Sequence, residues 1–181
     1  MWQFKRKVAK IEEEAERTRN VTFPEDSFVG YKLNNIENQS DGDMPVIGSL
    51  NVSYIDFAHK DVFNWVLEIM VFVRQEEGGG FPSPEEQEVL DAMEDEITDL
   101  ISPTHEQPNA IWILRETYGD ARKIYFVVHD AEIADQLLKQ LTDENSFGLP
   151  WQYSMKLENN WESLQWHFAE YLSSTSSNRL N

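Results

Sequence analysis

Four histidines, His59, His105, His129 and His167, are the side chains of this chain suited to moving protons near neutral pH. Three have a carboxylate close in sequence: His59 with Asp61, His105 with Glu106, and His129 with Asp130. A general base acts only where further groups hold a nucleophile, a water or a metal within its reach, and no sequence neighbour completes such a set. His129 stands apart by position, since it ends an expected central strand immediately before a helix start. It is the residue around which a hydrolase or metal-dependent site would assemble from carboxylates brought near by folding.

Asp41 and Asp43 flank Gly42 but lack the spaced acidic ligands and closing Glu of a calcium loop. Gly78, Gly79 and Gly80 precede a helix as phosphate loops do, yet no Lys-Ser or Lys-Thr pair follows, and Glu76, Glu77, Glu85 and Glu86 would repel an anion. The residues therefore name no catalytic set, metal site or cofactor, and with no cysteine in the chain thiolate chemistry and disulfides are excluded.

Charge is the stronger signal. The 31 residues from Glu76 to Glu106 hold 11 acidic side chains and no Lys or Arg. Of the whole chain's 15 basic and 33 acidic groups, residues 1–20 hold 6 and 4, leaving 9 and 29, a charge of −20, for the body. Such a body repels phosphate backbones, so nucleic acid is not an expected partner; it attracts a basic protein surface at a rate that falls with salt. The longest apolar run, Trp65 to Val73, is broken by Glu68 and is half the length a membrane helix needs. The basic start, Lys5 to Lys7, leads into Glu12, Glu13, Glu14 and Glu16 rather than an apolar export segment, and a cytoplasmic, membrane-free protein is expected.

The elements that would position these groups follow from periodicity. Phe4, Val8, Ile11 and Ala15 make a narrow amphipathic helix within residues 1–20. Phe28 to Leu33 and Met44 to Phe57 alternate about a turn-rich stretch, as a hairpin does. Trp65 to Arg74 is apolar on both faces, the mark of a central strand. Ser83, Pro84 and Glu86 write an N-cap, a first-turn proline and a capping box. The helix they start runs to about Ile101, with Val89, Leu90, Met93, Ile97, Leu100 and Ile101 inward and Glu88, Asp91, Asp95 and Asp99 outward. Ala110 to Arg115 and Lys123 to His129 form a second hairpin. A helix capped by Asp130 follows, with Ile133, Ala134, Leu137, Leu138 and Leu141 inward. Trp151 to Leu157 alternates as a half-wet edge strand.

A final helix, Asn160 to Leu172, gathers Trp161, Leu164, Phe168, Tyr171 and Leu172 on one face and turns Trp166 outward between Glu162 and Glu170. An exposed Trp is a candidate interface anchor, and the alternative is that it rests on the N-terminal helix.

Strand, helix, strand, strand, helix, strand is the split βαβ order, so the expected fold is an α+β ferredoxin-like sandwich. An N-terminal β-hairpin extends it, pairing beside Ile111 to Leu114 to cover that edge, and extra N-terminal and C-terminal helices are added. The expected layout is a helix in 1–20, one domain over 21–172 and a disordered tail over 173–181.

Trp65 to Val73, Gly80-Phe81-Pro82 ahead of a helix with Leu90 and Glu94-Asp95, the aromatic strand Lys123 to Val128, and Asn160-Trp161 before an aromatic helix together resemble a bacterial family known as domain of unknown function 695. The resemblance spans residues 24 to 172 and implies a small cytoplasmic bacterial protein with no catalytic residues to assign; Asn160 stands where members usually have an acid. The functional expectation is a non-enzymatic protein-binding or regulatory module that uses Glu88, Asp91, Asp95, Asp99 and Trp166, the alternative being the His129 enzyme. A further expectation is a homodimer through the sheet face bearing Val66, Met70 and Phe72.

Overall fold

A computed structural model of the chain describes residues 21–33, 46–74, 81–103, 108–144 and 147–177. The expected N-terminal helix, the Asp41 to Asp43 turn, Gly78 to Gly80 and His105 lie outside these residues.

Among the described residues six strands form one antiparallel sheet: β1 (Phe28–Leu33), β2 (Val46–Asn51), β3 (Trp65–Phe72), β4 (Ala110–Tyr118), β5 (Ala121–Val128) and β6 (Trp151–Leu157). Their spatial order is β1-β2-β4-β5-β3-β6. The doubly apolar β3 lies between β5 and β6, the half-wet β6 is an edge, and the hairpin β1–β2 pairs beside β4, with Leu50 opposite Leu114. With the expected hairpin at one edge, the fold is α+β and the sheet six-stranded, and its order as a whole differs from the four-strand order of a ferredoxin-like sandwich. Among the described residues three α-helices accompany the sheet: α1 (Pro84–Ile101), α2 (Ala131–Glu144) and α3 (Gln165–Ser177).

The two sheet faces bury separate cores. On one, Leu67, Ile69, Val71, Ile124, Phe126 and Val128 meet Leu90, Met93, Ile97 and Ile101 of α1 and Ala134, Leu138 and Leu141 of α2. On the other, Val66, Ile113, Leu114, Tyr125 and Val127 meet Tyr54, Phe57 and Phe63 from the segment after β2, and Trp161, Leu164 and Phe168 from the last segment. At roughly 1.5–3 kcal/mol for each large apolar side chain removed from water, each layer outweighs the cost of crowding acids along α1.

Several expected details are corrected. The strand over Met44 to Phe57 stops at Asn51, because the buried Asn51 amide is tied sideways, donating to Asp26 Oδ1 at 2.8 Å and accepting from Ser27 N at 3.3 Å. A 3-10 turn over Val52–Tyr54 then leads into the second layer. Val89, Ile133 and Leu172 were expected inward and are 41%, 50% and 48% exposed. Each sits one residue, about 100° of helical rotation, from a residue that does face the core or flank it, Leu90, Ala134 and Tyr171.

The Ser83 hydroxyl caps α1 by accepting from Glu86 N, but the capping box does not close. Glu86 Oε1 accepts instead from Arg74 N at 2.7 Å, stapling the helix start to the end of β3. The last segment opens as a 3-10 turn, Glu162–Leu164, and α3 then continues to Ser177, past the expected end at Leu172.

Candidate functional site

Helix α1 does not present all its acids to water. Asp91 and the buried Glu94 face the sheet beside Arg115 of β4 and the fully buried Arg122 of β5. Arg122 Nη1 donates to Asp91 Oδ1 at 2.7 Å, its Nη2 to Gln87 Oε1 at 2.8 Å and its Nε to Thr117 Oγ1 at 3.3 Å. Arg115 Nη1 reaches both Asp91 and Glu94 at 3.3 Å, and Trp112 Nε1 donates to Glu94 Oε1 at 2.8 Å. Every polar atom of the Arg122 head thus has a carboxylate, amide or hydroxyl partner, as a buried guanidinium requires.

Burial works to raise the Asp91 pKa, but hydrogen bonds from Gln87 and Arg122 and the charges of Arg122 and Arg115 outweigh it, holding the group below its ordinary value. Glu94 lies deeper, and there burial prevails over the two arginines and raises its pKa.

The opposite face holds a second polar cluster, around Glu116 of β4. Glu116 Oε1 accepts from the Tyr31 hydroxyl at 2.7 Å and lies 3.3 Å from His167 Nδ1 of α3. The imidazole packs on Tyr125 and on the edge of Trp166. Burial pushes the Glu116 carboxyl up, but His167, Tyr31 and Lys123 together bring it below its usual value. An acid–imidazole pair is two thirds of a hydrolytic triad. The hydroxyls beside it, however, are the phenols of Tyr31 and Tyr125, whose ionisation burial and the neighbouring carboxylates strongly oppose. The geometry is that of a clamp joining α3, β4 and β1.

A bulge in β4 sorts the two clusters. Its pairing with β5 slips between Trp112 and Leu114, so Ile113 and Leu114 both face the α3 side. Beyond the slip, Arg115 and Thr117 face α1 and Glu116 faces α3.

The residues singled out from sequence distribute as follows. Glu88, Asp95 and Asp99 are exposed on α1, whereas Asp91 is half-exposed and engaged by Arg122 and Arg115. Trp166 is 48% exposed, between the exposed Glu162 and Glu170. It belongs to the layer opposite α1, so the acidic stripe and Trp166 lie on different faces of the sheet rather than near one another.

His129 Nδ1 donates to Val62 O at 2.9 Å, and its Nε2 is enclosed and without a hydrogen-bond partner among the described residues. Its neighbour Asp130 is occupied as the cap of α2, accepting from Glu132 N and Ile133 N. Among the described residues no three His, Cys, Asp or Glu side chains come together as a metal site. The sheet face proposed for pairing copies is partly covered: Val66 is buried beneath the second layer, and Phe72 is 39% exposed.

Glu116, Arg122 and His167 carry the two buried clusters, and of these only His167 is among the residues that stand out in the sequence. The signal available was two charged pairs, Arg115-Glu116 and Arg122-Lys123, inside strands whose other positions are mostly apolar.

The late Asn160-Trp161 pair also has a structural basis. Trp161 is fully buried with its backbone in the left-handed region at φ 54, and its Nε1 donates to Phe63 O at 2.6 Å.

No helix among the described residues is long and apolar enough to cross a membrane. No curated protein and no solved structure matches the chain. A family profile does, over residues 38–172, three quarters of the length and the whole stretch from β2 to the middle of α3. On that match the chain belongs to the family of unknown function DUF695.

Proposed function

We propose that the chain is a non-enzymatic protein-binding or regulatory module whose acidic α1 face receives a basic protein surface. One observation carries this reading. The arginines next to α1 are consumed by Asp91 and Glu94, while Glu85, Glu88, Asp95, Glu96 and Asp99 remain exposed on a helix with no basic residue in its last turn. Glu88, Asp95 and Asp99 recur at helical spacing on one stripe and form a field that only a cationic partner neutralises. Trp166, on the far side of the sheet, serves as a separate contact. The same reading takes β4, β5, β3 and β6 with α1 and α2 as a ferredoxin-like unit within one domain over 21–172. Their mutual order and antiparallel pairing support that assignment. It also places the protein in a bacterial cytoplasm, consistent with a cysteine-free chain.

The His129 hydrolase has less support, because its free nitrogen is enclosed and its adjacent carboxylate is spent on a helix cap.

The test is capture from a bacterial lysate at low and high salt, by the wild type and by the triple substitution Glu88→Lys, Asp95→Lys, Asp99→Lys. Capture that is lost in high salt and in the triple variant is expected. Capture indifferent to both would refute the electrostatic contact.

A further inference from the structure

The sheet ends at β6 with an edge unlike most natural ones. Exposed edges are usually blunted by proline, inward charge or a bulge. Strand β6 has no internal proline, and its pairing with β3 runs from Val71 opposite Trp151 to Trp65 opposite Leu157 without a slip. Its single charge, Lys156, is neutralised by Glu158 at 2.7 Å. Trp151, Tyr153 and Met155 are half-buried on the helix side, and Leu157, of the same parity, is 53% exposed. No described residue pairs with the outer side of this strand.

The direction of its backbone groups can be read from the ends of the ladder. Glu158 N donates to Asn64 O, and Phe72 N donates to Pro150 O, so the even-numbered residues of β6 point their backbone at β3. The odd-numbered residues, Trp151, Tyr153, Met155 and Leu157, therefore point N–H and C=O outward. An antiparallel partner must offer outward groups in the same phase.

A second copy of β6 does so when the two strands cross at Ser154. Trp151 then faces Leu157 and Tyr153 faces Met155 as hydrogen-bonded pairs, and the apolar row of each copy covers that of the other. On the opposite face Gln152 meets Lys156, and no like charges oppose each other. The sequence Trp-Gln-Tyr-Ser-Met-Lys-Leu is thus self-complementary about its central residue. We propose that β6 is a homodimerisation edge, through which two copies join their six-stranded sheets antiparallel about a two-fold axis at Ser154.

This surface is distinct from α1, and its salt dependence has the opposite sign. Two copies of net charge −18 repel at long range, so salt strengthens the pairing while it weakens capture of a basic partner. Failure of one proposal is therefore distinguishable from failure of the other.

Single cysteines introduced into the cysteine-free chain test the register. In a non-hydrogen-bonded antiparallel pair Cα atoms lie about 4.5 Å apart, within disulfide range, so Ser154→Cys should cross-link to its own copy under mild oxidation. Gln152→Cys, whose counterpart would lie four residues and roughly 13 Å along the strand, should cross-link at least roughly tenfold more slowly. Sedimentation should show a dimer in the wild type that strengthens with salt. Met155→Pro, which deletes an outward N–H and leaves pairing with β3 intact, should be a monomer with an unchanged circular dichroism spectrum. Equal cross-linking of the two cysteine variants, or a wild type that stays monomeric at all salt concentrations, overturns the proposal.

Discussion

The Tyr31 hydroxyl reaches Glu116 at 2.7 Å by lying across Gly48, the β2 residue that separates their strands. A Cβ at position 48 would sit 2.3 Å from the ring carbon bearing that hydroxyl, so the absent side chain is what opens the path. Gly48→Ala should displace the ring, break the bond to Glu116 and destabilise the fold by about 1–3 kcal/mol. Tyr31→Phe should cost a similar amount alone and little more once Gly48→Ala is present. Urea unfolding of both singles and the double measures this coupling, and strict additivity would contradict it.

Glu116 also gives stability a pH dependence of definite sign. Its carboxyl is held below its ordinary value in the folded protein, as are Asp91 and Glu158. A group whose folded pKa is depressed contributes stability that is complete above its unfolded pKa and is lost as pH falls through the folded one. Stability should therefore decline as pH drops through and below the usual carboxylate range. Glu116→Gln should lower stability at neutral pH and flatten that decline. Urea midpoints across this range check it, and an unchanged acid slope in the variant would remove Glu116 from the account.

How much of this was legible in the chain depends on which rule governed each residue. The two apolar faces of β3, the alternation of β6 and the Leu90, Met93, Ile97 and Ile101 stripe of α1 follow from pattern alone, so the central strand, the edge strand and the centre of the α1 core face were readable, while Val89 and Asp91 at the margins of that face were not. Arg115 and Glu116 were not. Simple alternation from Ala110 would send Glu116 to the α1 side, and only the bulge at Ile113 exchanges the two. A bulge is set by long-range packing and leaves no local mark. The second layer was hidden for a related reason: Tyr54, Phe57 and Phe63 lie on an irregular segment, where burial follows no period. Glu94 was hidden because an acid at an inward helical position reads as a boundary of the stripe until its arginines are seen.

Arg122 should be the most costly of the buried polar residues to remove. With its guanidinium gone, Glu94 keeps only Arg115 and the Trp112 indole as partners, inside a helix–sheet contact that excludes water. Arg122→Met should destabilise by roughly 3–5 kcal/mol, as breaking buried ion pairs does. Asp91→Asn should cost less, since Asp91 stays half-open to solvent. Adding Glu94→Gln to Arg122→Met should restore part of the loss by removing the stranded charge. Guanidinium titrations resolve differences of this size, and an Arg122→Met protein as stable as the wild type would show that the network contributes nothing.

Trp161 combines three demands that no other side chain meets. Its ring fills the second core beside Phe57, at a centroid distance of 5.9 Å. Its indole N–H satisfies the Phe63 carbonyl, and its backbone takes the left-handed turn that lets Glu158 Oε2 accept from Ser163 N at 2.8 Å and start the last segment. Trp161→Phe keeps part of the packing but strands a buried carbonyl, a loss of about 1–3 kcal/mol before the smaller ring's cavity is added. Trp161→Gly relieves the backbone, worth about 1 kcal/mol, yet empties the site at a cost of at least 3–5 kcal/mol. The order of stability should therefore be wild type, then Phe, then Gly, by thermal or urea unfolding. A glycine variant more stable than the phenylalanine one would mean that turn strain, rather than the packed indole, dominates at this position.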